Sequence, residues 1–195
     1  VNIGKQGLAT PYTVAVDING NEQTGTGILA LSNVGPVTFG AGYFNNTNLD
    51  NSSEVNASQG LGLNRNYIRT LTNAPQVGAD YRSNGIVDGG TDLYVATVQG
   101  DLDFVKLEAW YLGLQDTFGS YTLAATSNLD LAENAKLGLE ARYVNLELND
   151  RFSHPTAAKP LETDNSMFRF AVDGKFSIVN ARLAYTKTGK DGGLT

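Results

Sequence analysis

The chain has 195 residues, no cysteine, one histidine and a formal net charge of −6, with a pI near 4.7. That length allows one domain with a sizeable core, the missing cysteines exclude disulfide staples and thiolate metal sites, and the acidic balance argues against a nucleic-acid partner, whose binding draws on a basic surface. Glycine is frequent, at 22 residues, and helix-favouring runs are scarce, an all-β profile. No run approaches the roughly 18 apolar residues of a membrane helix, whereas a transmembrane barrel, whose strands carry apolar residues at alternate positions, stays open.

In chain order, Val1 to Leu8 reads as the end of a strand, with no signal-peptide pattern before it, as in a trimmed product or a fragment. Positions 9–23 are a turn-rich connection. Thr24 to Ser32 and Val37 to Phe44 form a hairpin across Asn33-Val34-Gly35-Pro36. Positions 45–90 break the rhythm and read as one long external loop, and the sequons at Asn45, Asn51 and Asn56 fit a polar loop better than glycosylation. Alternation returns in 93–99, 104–113, 120–128, 136–149, 168–175 and 179–186. After Tyr143 the apolar parity flips to Val144, Leu146 and Leu148, which predicts either a bulge or a strand that has left the apolar environment.

Nine strands result. Short turns at 33–36, 100–103, 131–135 and 176–179 alternate with longer connections at 9–23, 45–90, 114–119 and 150–165 and a tail after Thr188. Sorting of tight turns to one end and loops to the other is the habit of an outer-membrane barrel. Tyr43, Tyr111, Tyr121, Tyr143 and Tyr185 fall where strands meet connections, as an interfacial girdle requires. The fold expected is therefore an all-β, transmembrane, antiparallel up-and-down barrel, with residues 1–195 as a single portion of it. Because an odd strand number does not close such a barrel, these are about nine strands of a larger one of about 16 to 18.

With the apolar face on lipid, the opposite face lines water: Lys106, Glu108, Lys136, Glu140, Arg142, Arg169, Asp173, Lys175 and Arg182. Six are cationic and three anionic, a net basic wall, while loops hold acidic residues such as Asp17, Glu22, Asp50, Glu54, Asp80 and Asp88. A basic wall facing an acidic infolded loop sets up a transverse field that sorts ions. The plainer alternative is cross-strand neutralisation. Enzyme readings are weak: His154 precedes Pro155 in a loop, no metal-ligand cluster is present, Asp101-Leu102-Asp103 fits a turn, and nothing fixes a separation for Glu108 and Glu140. No cofactor is implied. The expectation is a porin in the outer membrane of a Gram-negative bacterium, surrounded by lipid and lipopolysaccharide, passing ions and small hydrophilic solutes. The competing class is a soluble or surface-displayed all-β binding or adhesion module using the 45–90 loop.

The opening VNIGKQGL, then GTGILALSNVGPVTFGAGYF, DLYVATVQGDLDFVKLEAWYLG and MFRFAVDGKFSIVNARLAYTKTG, resemble the middle and later strands of the major outer membrane porin family of Campylobacter-type bacteria. The resemblance implies a trimeric general-diffusion porin of about 18 strands. It also implies that the loop around Pro11 to Glu22, with Asp17 and Glu22, is a candidate constriction.

Overall fold

A computed structural model describes residues 1–13, 16, 20, 22–47, 92–149 and 163–189. They form nine strands: β1 (Asn2–Gly7), β2 (Thr24–Val34), β3 (Val37–Thr47), β4 (Leu93–Leu102), β5 (Val105–Leu114), β6 (Phe118–Ala132), β7 (Ala135–Leu148), β8 (Asp164–Phe176) and β9 (Val179–Thr188). Each pairs antiparallel with its neighbours in chain order, giving one open up-and-down sheet from β1 to β9.

Two-residue turns close one end of the sheet, at 35–36, 103–104, 133–134 and 177–178. Gly35 supplies a left-handed φ of 58° and Pro36 the fixed negative φ that follows it in a type II′ turn. At the other end β3 continues through Thr47, so the expected 45–90 loop loses its first three residues to a strand, and positions 48–91 lie outside the described residues. The connection expected at 114–119 shrinks to Gln115–Thr117, with Asp116 at φ 52°. Sorting by length therefore fails at this one connection.

No bulge follows Tyr143, because the β7–β8 register runs unbroken from Ala135 to Glu147. Register shifts fall instead between Thr26 and Gly27 and between Asp130 and Ala132. The parity flip comes from a change of surroundings. On the outer face, the residues beyond Tyr143 are Asn145 and Glu147, and Asn145 Nδ2 donates to Asp164 Oδ1 at 2.9 Å. On the inner face, Val144, Leu146 and Leu148 are buried. Past the tyrosine the outside is polar and the inside apolar, the reverse of the arrangement below it.

The outer aromatics do not follow one register row. Tyr43 opposes Tyr94 with ring centroids 5.5 Å apart, and Tyr111 opposes Tyr121 at 5.1 Å. Tyr143 then opposes Phe168, and Tyr185 opposes Phe170. Between successive pairs the row steps two residues toward the turns, since Tyr94 faces Gly113, Tyr121 faces Asn145 and Phe168 faces Lys187. Two residues per two strands is one residue, about 3.3 Å, per strand spacing of about 4.8 Å. A belt that is level in the membrane therefore requires strands tilted by about 35°, the inclination of outer-membrane barrels. Tyr43, Tyr111, Tyr121, Tyr143 and Tyr185 lie inside the strands and not at their ends, because those strands continue beyond the membrane. Below the belt the outer face exposes Val98, Leu107, Leu123, Phe170, Leu183 and Phe176. From Phe168 to Phe176 is eight residue steps, a height of about 22 Å at that tilt, near the apolar band of about 25 Å that such barrels present to lipid.

Gly27 sits beside the β2–β3 register shift, where a Cβ would collide with the Tyr43 carbonyl oxygen. The obstacle is backbone and cannot rotate away. Gly27→Ala is expected to cost about 2 kcal/mol or more, checked by the thermal unfolding midpoint of the full-length protein in detergent. Gly100→Ala, where a Cβ meets nothing within 4 Å, should leave it almost unchanged.

Candidate pore-lining face

The inner face has two zones. In the zone nearer the two-residue turns, register places Lys106 and Glu108 of β5, Glu140, Arg142 and Lys136 of β7, Arg169, Asp173 and Lys175 of β8, and Arg182 of β9 opposite the exposed apolar face. β4 and β6 run further than their sequence pattern indicates, to Leu102 and Ala132, and so bring Asp101 opposite Lys106 and Asp130 opposite Lys136. The expected excess of six cations over three carboxylates becomes six over five among the described residues of β4 to β9. The inner positions of β1 to β3, such as Asn2, Gln6, Asn33 and Thr38, carry no charge.

Glu140 is the hub of this zone. Its side chain is 19% exposed, and it receives Arg182 Nη2 at 3.1 Å, with Arg142 Nε and Arg169 Nε each 3.8 Å from its other oxygen. Only the first is a hydrogen bond; the others act through Coulomb attraction alone. Arg182 also reaches Asp173 at 3.3 Å. Glu108 accepts from Lys106 Nζ at 2.8 Å and from Trp110 Nε1 at 3.1 Å, and Lys136 pairs with Asp130 at 3.0 Å. Opposite charges on one sheet face thus hold one another extended and spaced. The Arg142 Nε is buried without a hydrogen-bond partner among the described residues.

The second zone, at and above the level of the tyrosines, is apolar. Phe44, Leu93, Val95, Leu112, Leu114, Phe118, Leu146 and Leu148 cluster there with Leu8. Residues 8–13 lie against them inside the curve of the sheet. The segment is tied at its root, where the Leu8 N–H donates to the Gln23 carbonyl at 2.8 Å, and is closed on itself by Thr10 N–H to Thr13 O at 3.0 Å and Thr13 N–H to Thr10 O at 3.3 Å.

Tyr12 anchors the tip. Its ring meets Phe118 edge-on at 6.0 Å, and its hydroxyl lies 2.6 Å from Ser120 Oγ. Because Ser120 gives its one proton to the Asn145 carbonyl at 2.8 Å, Tyr12 must be the donor. Burial pushes the phenol pKa above its usual value of 10.0, so the donor proton is retained. Between Ala9, Thr10 and Pro11 on one side and Glu108, Trp110 and Arg142 on the other is a cleft of about 280 Å³. Glu22 is exposed and bridges to Val16; Asp17 lies outside the described residues. Sequence reasoning missed Tyr12 and Ser120. A lone aromatic in a turn-rich segment was the available signal for the first.

A tilted sheet with an aromatic belt, a lipid-sized apolar outer band and a charged inner face defines the wall of an outer-membrane β-barrel. So many exposed large side chains on one face, from Ile28 to Tyr185, exceed what a sheet facing water leaves uncovered. The model of the Campylobacter major outer membrane protein family matches residues 1–193, and the chain belongs to that family. Among solved structures, it is similar to three Pseudomonas aeruginosa proteins. For OccD3 (OpdP) the TM-score is 0.64 at 16% identity, covering 95% of this chain and 40% of that one. For OpdK, solved with vanillate, it is 0.66 at 15%, covering 97% and 44%. For OprD it is 0.63 at 15%, covering 95% and 39%. The chain thus spans about two fifths of the length of these barrels. Among curated proteins none matches.

Tyr12→Phe keeps the ring contact with Phe118 and removes the hydroxyl bond, a loss of about 1 kcal/mol. The Leu8, Thr10 and Thr13 amides should then exchange with deuterium about fivefold faster. Because the folded-state pKa of Tyr12 is raised, its contribution is complete below about pH 10 and fades as pH climbs through the folded value. Exchange of the same amides in the unsubstituted protein should therefore stay constant to pH 10, after correction for intrinsic rates, and accelerate only above it.

Proposed function

We propose that this chain forms part of the wall of a water-filled channel through the outer membrane, a passive porin for ions and small hydrophilic solutes and not an enzyme. The observation that carries the reading is the inversion of face chemistry along the strands: lipid-like outside and charged inside below the tyrosines, polar outside and apolar inside above them. A sheet immersed in lipid, wet within, and lined at its outer mouth by an infolded segment has this pattern.

In this reading Lys106, Glu108, Lys136, Glu140, Arg142, Arg169, Asp173, Lys175 and Arg182 line the pore. The segment beginning at Leu8, with Asp17 and Glu22 further along it, narrows the passage, and the connection that follows β3, from position 48 to 90, faces the cell exterior. Lipopolysaccharide and lipid surround the barrel. Family membership supports a homotrimer, which sedimentation of the full-length protein in detergent would test. The full-length protein in planar bilayers should give stepwise conductance; a protein that inserts yet passes no current would overturn the reading.

Glu140 is the shared counter-ion of three arginines, so its neutralisation should shift selectivity most. Glu140→Gln is expected to move the reversal potential in asymmetric KCl toward chloride, and Arg169→Glu toward potassium. Equal reversal potentials in all three proteins would assign these charges to mutual neutralisation only.

A further inference from the structure

The inner wall nearest the two-residue turns holds a second cavity that the charge network around Glu140 does not fill. It measures about 560 Å³, and its charged and amide lining includes Lys136, Lys175, Arg182 and Asn180 together with the carboxylates of Asp130 and Asp173. At Gly138 the wall is tightly packed, since a Cβ there would stand 3.3 Å from Asp173 Cβ and 3.4 Å from Asn128 Oδ1. Lys136 and Lys175 face each other directly across β7 and β8, and Asn180 is the next residue in the same row on β9.

Two like charges directly opposed on one face of an antiparallel pair repel. Asp130 offsets Lys136, at 3.0 Å, and Arg182 is engaged by Glu140 and Asp173. Lys175 is left without a carboxylate partner among the described residues, although it is the inner neighbour of another cation on one side and an amide on the other. Lys136, Lys175 and Arg182 against Asp130 and Asp173 leave the lining one negative charge short, with the Asn180 amide beside Lys175 in the register.

Resting on the channel reading above, we infer that this cavity is a binding subsite for small oxyanions in transit, phosphates or carboxylates, with Lys175 as its principal ligand and Lys136 and Asn180 beside it. An oxyanion there accepts hydrogen bonds from both lysines at once and converts their repulsion into a shared attraction. The position, at the turn end of the wall and below the arginines, makes it a separate station from the constriction. It acts on solutes that have already passed the infolded segment or are about to approach it from the opposite side.

Calorimetric titration of inorganic phosphate into the detergent-solubilised full-length protein, at constant ionic strength, tests this without relying on conduction. Saturable binding is expected. Lys175→Gln should weaken it by about tenfold, the loss of one charge-assisted hydrogen bond, and Lys175→Arg should restore most of it. Lys187→Gln, on the outer face, should leave it unchanged. Absence of saturable heat in the unsubstituted protein, or equal affinity in Lys175→Gln, would overturn the subsite. A bilayer experiment separates the two proposals: no current steps at all would count against the channel while leaving the calorimetric result standing.

Discussion

Every strand in this sheet passes its backbone N–H and C=O groups to its sequence neighbours, and that lateral ladder, interrupted only by two register shifts, is the condition for everything else. Hydrocarbon offers no partner for a peptide group, so a strand can cross it only when both edges are paired. Once pairing runs in simple chain order, each strand has one side on lipid and one on water, and the period of two becomes a division of labour. The outer positions carry Leu, Val, Phe and Tyr; the inner ones carry charges that would be prohibitively costly if the register slipped by one.

The same ladder explains why the inner face changes character along its height. Within the membrane the inner face is charged, and Glu140, Arg142, Arg169 and Arg182 hold one another in place. Above the belt, water lies outside, and the infolded residues 8–13 provide a dry surface within. Leu93, Leu112, Leu146 and Phe118 bury themselves against Leu8 and Tyr12. The strap is held to the wall by apolar contact and by the Tyr12–Ser120 hydrogen bond, in addition to the backbone bond at its root and the Thr10–Thr13 turn within it.

Much of this was legible in the residues. Alternation gave all nine described strands, because a two-faced strand leaves the same trace whether its partner is lipid or core, and the tight turns gave the direction of the loops. Strand ends were the weak point. Asp101 looked like a turn former and Asp130 lay past a strand read as ending at Asn128, and only pairing as close as Leu102 with Val105 and Asp130 with Lys136 reveals that the ladder continues past them. The expected excess of six cations over three carboxylates followed from that truncation. The flip after Tyr143 was visible, yet its cause was not, since parity alone cannot distinguish a bulge from a change of solvent on the two sides. Tyr12 meets Ser120 across 108 residues, a contact that no local pattern encodes.

The stepped row of aromatics also bears on width. A cylinder whose strands lean by about 35° and number about 16 to 18 has a backbone radius of roughly 15 to 17 Å, from strand spacing and tilt alone. Such a tube, about 30 Å across before side chains are added, would admit molecules far larger than a simple nutrient. On the proposed channel reading, sieving would fall to material projecting into the bore, and the segment that Tyr12 ties to Ser120 would matter more for it than the count of strands.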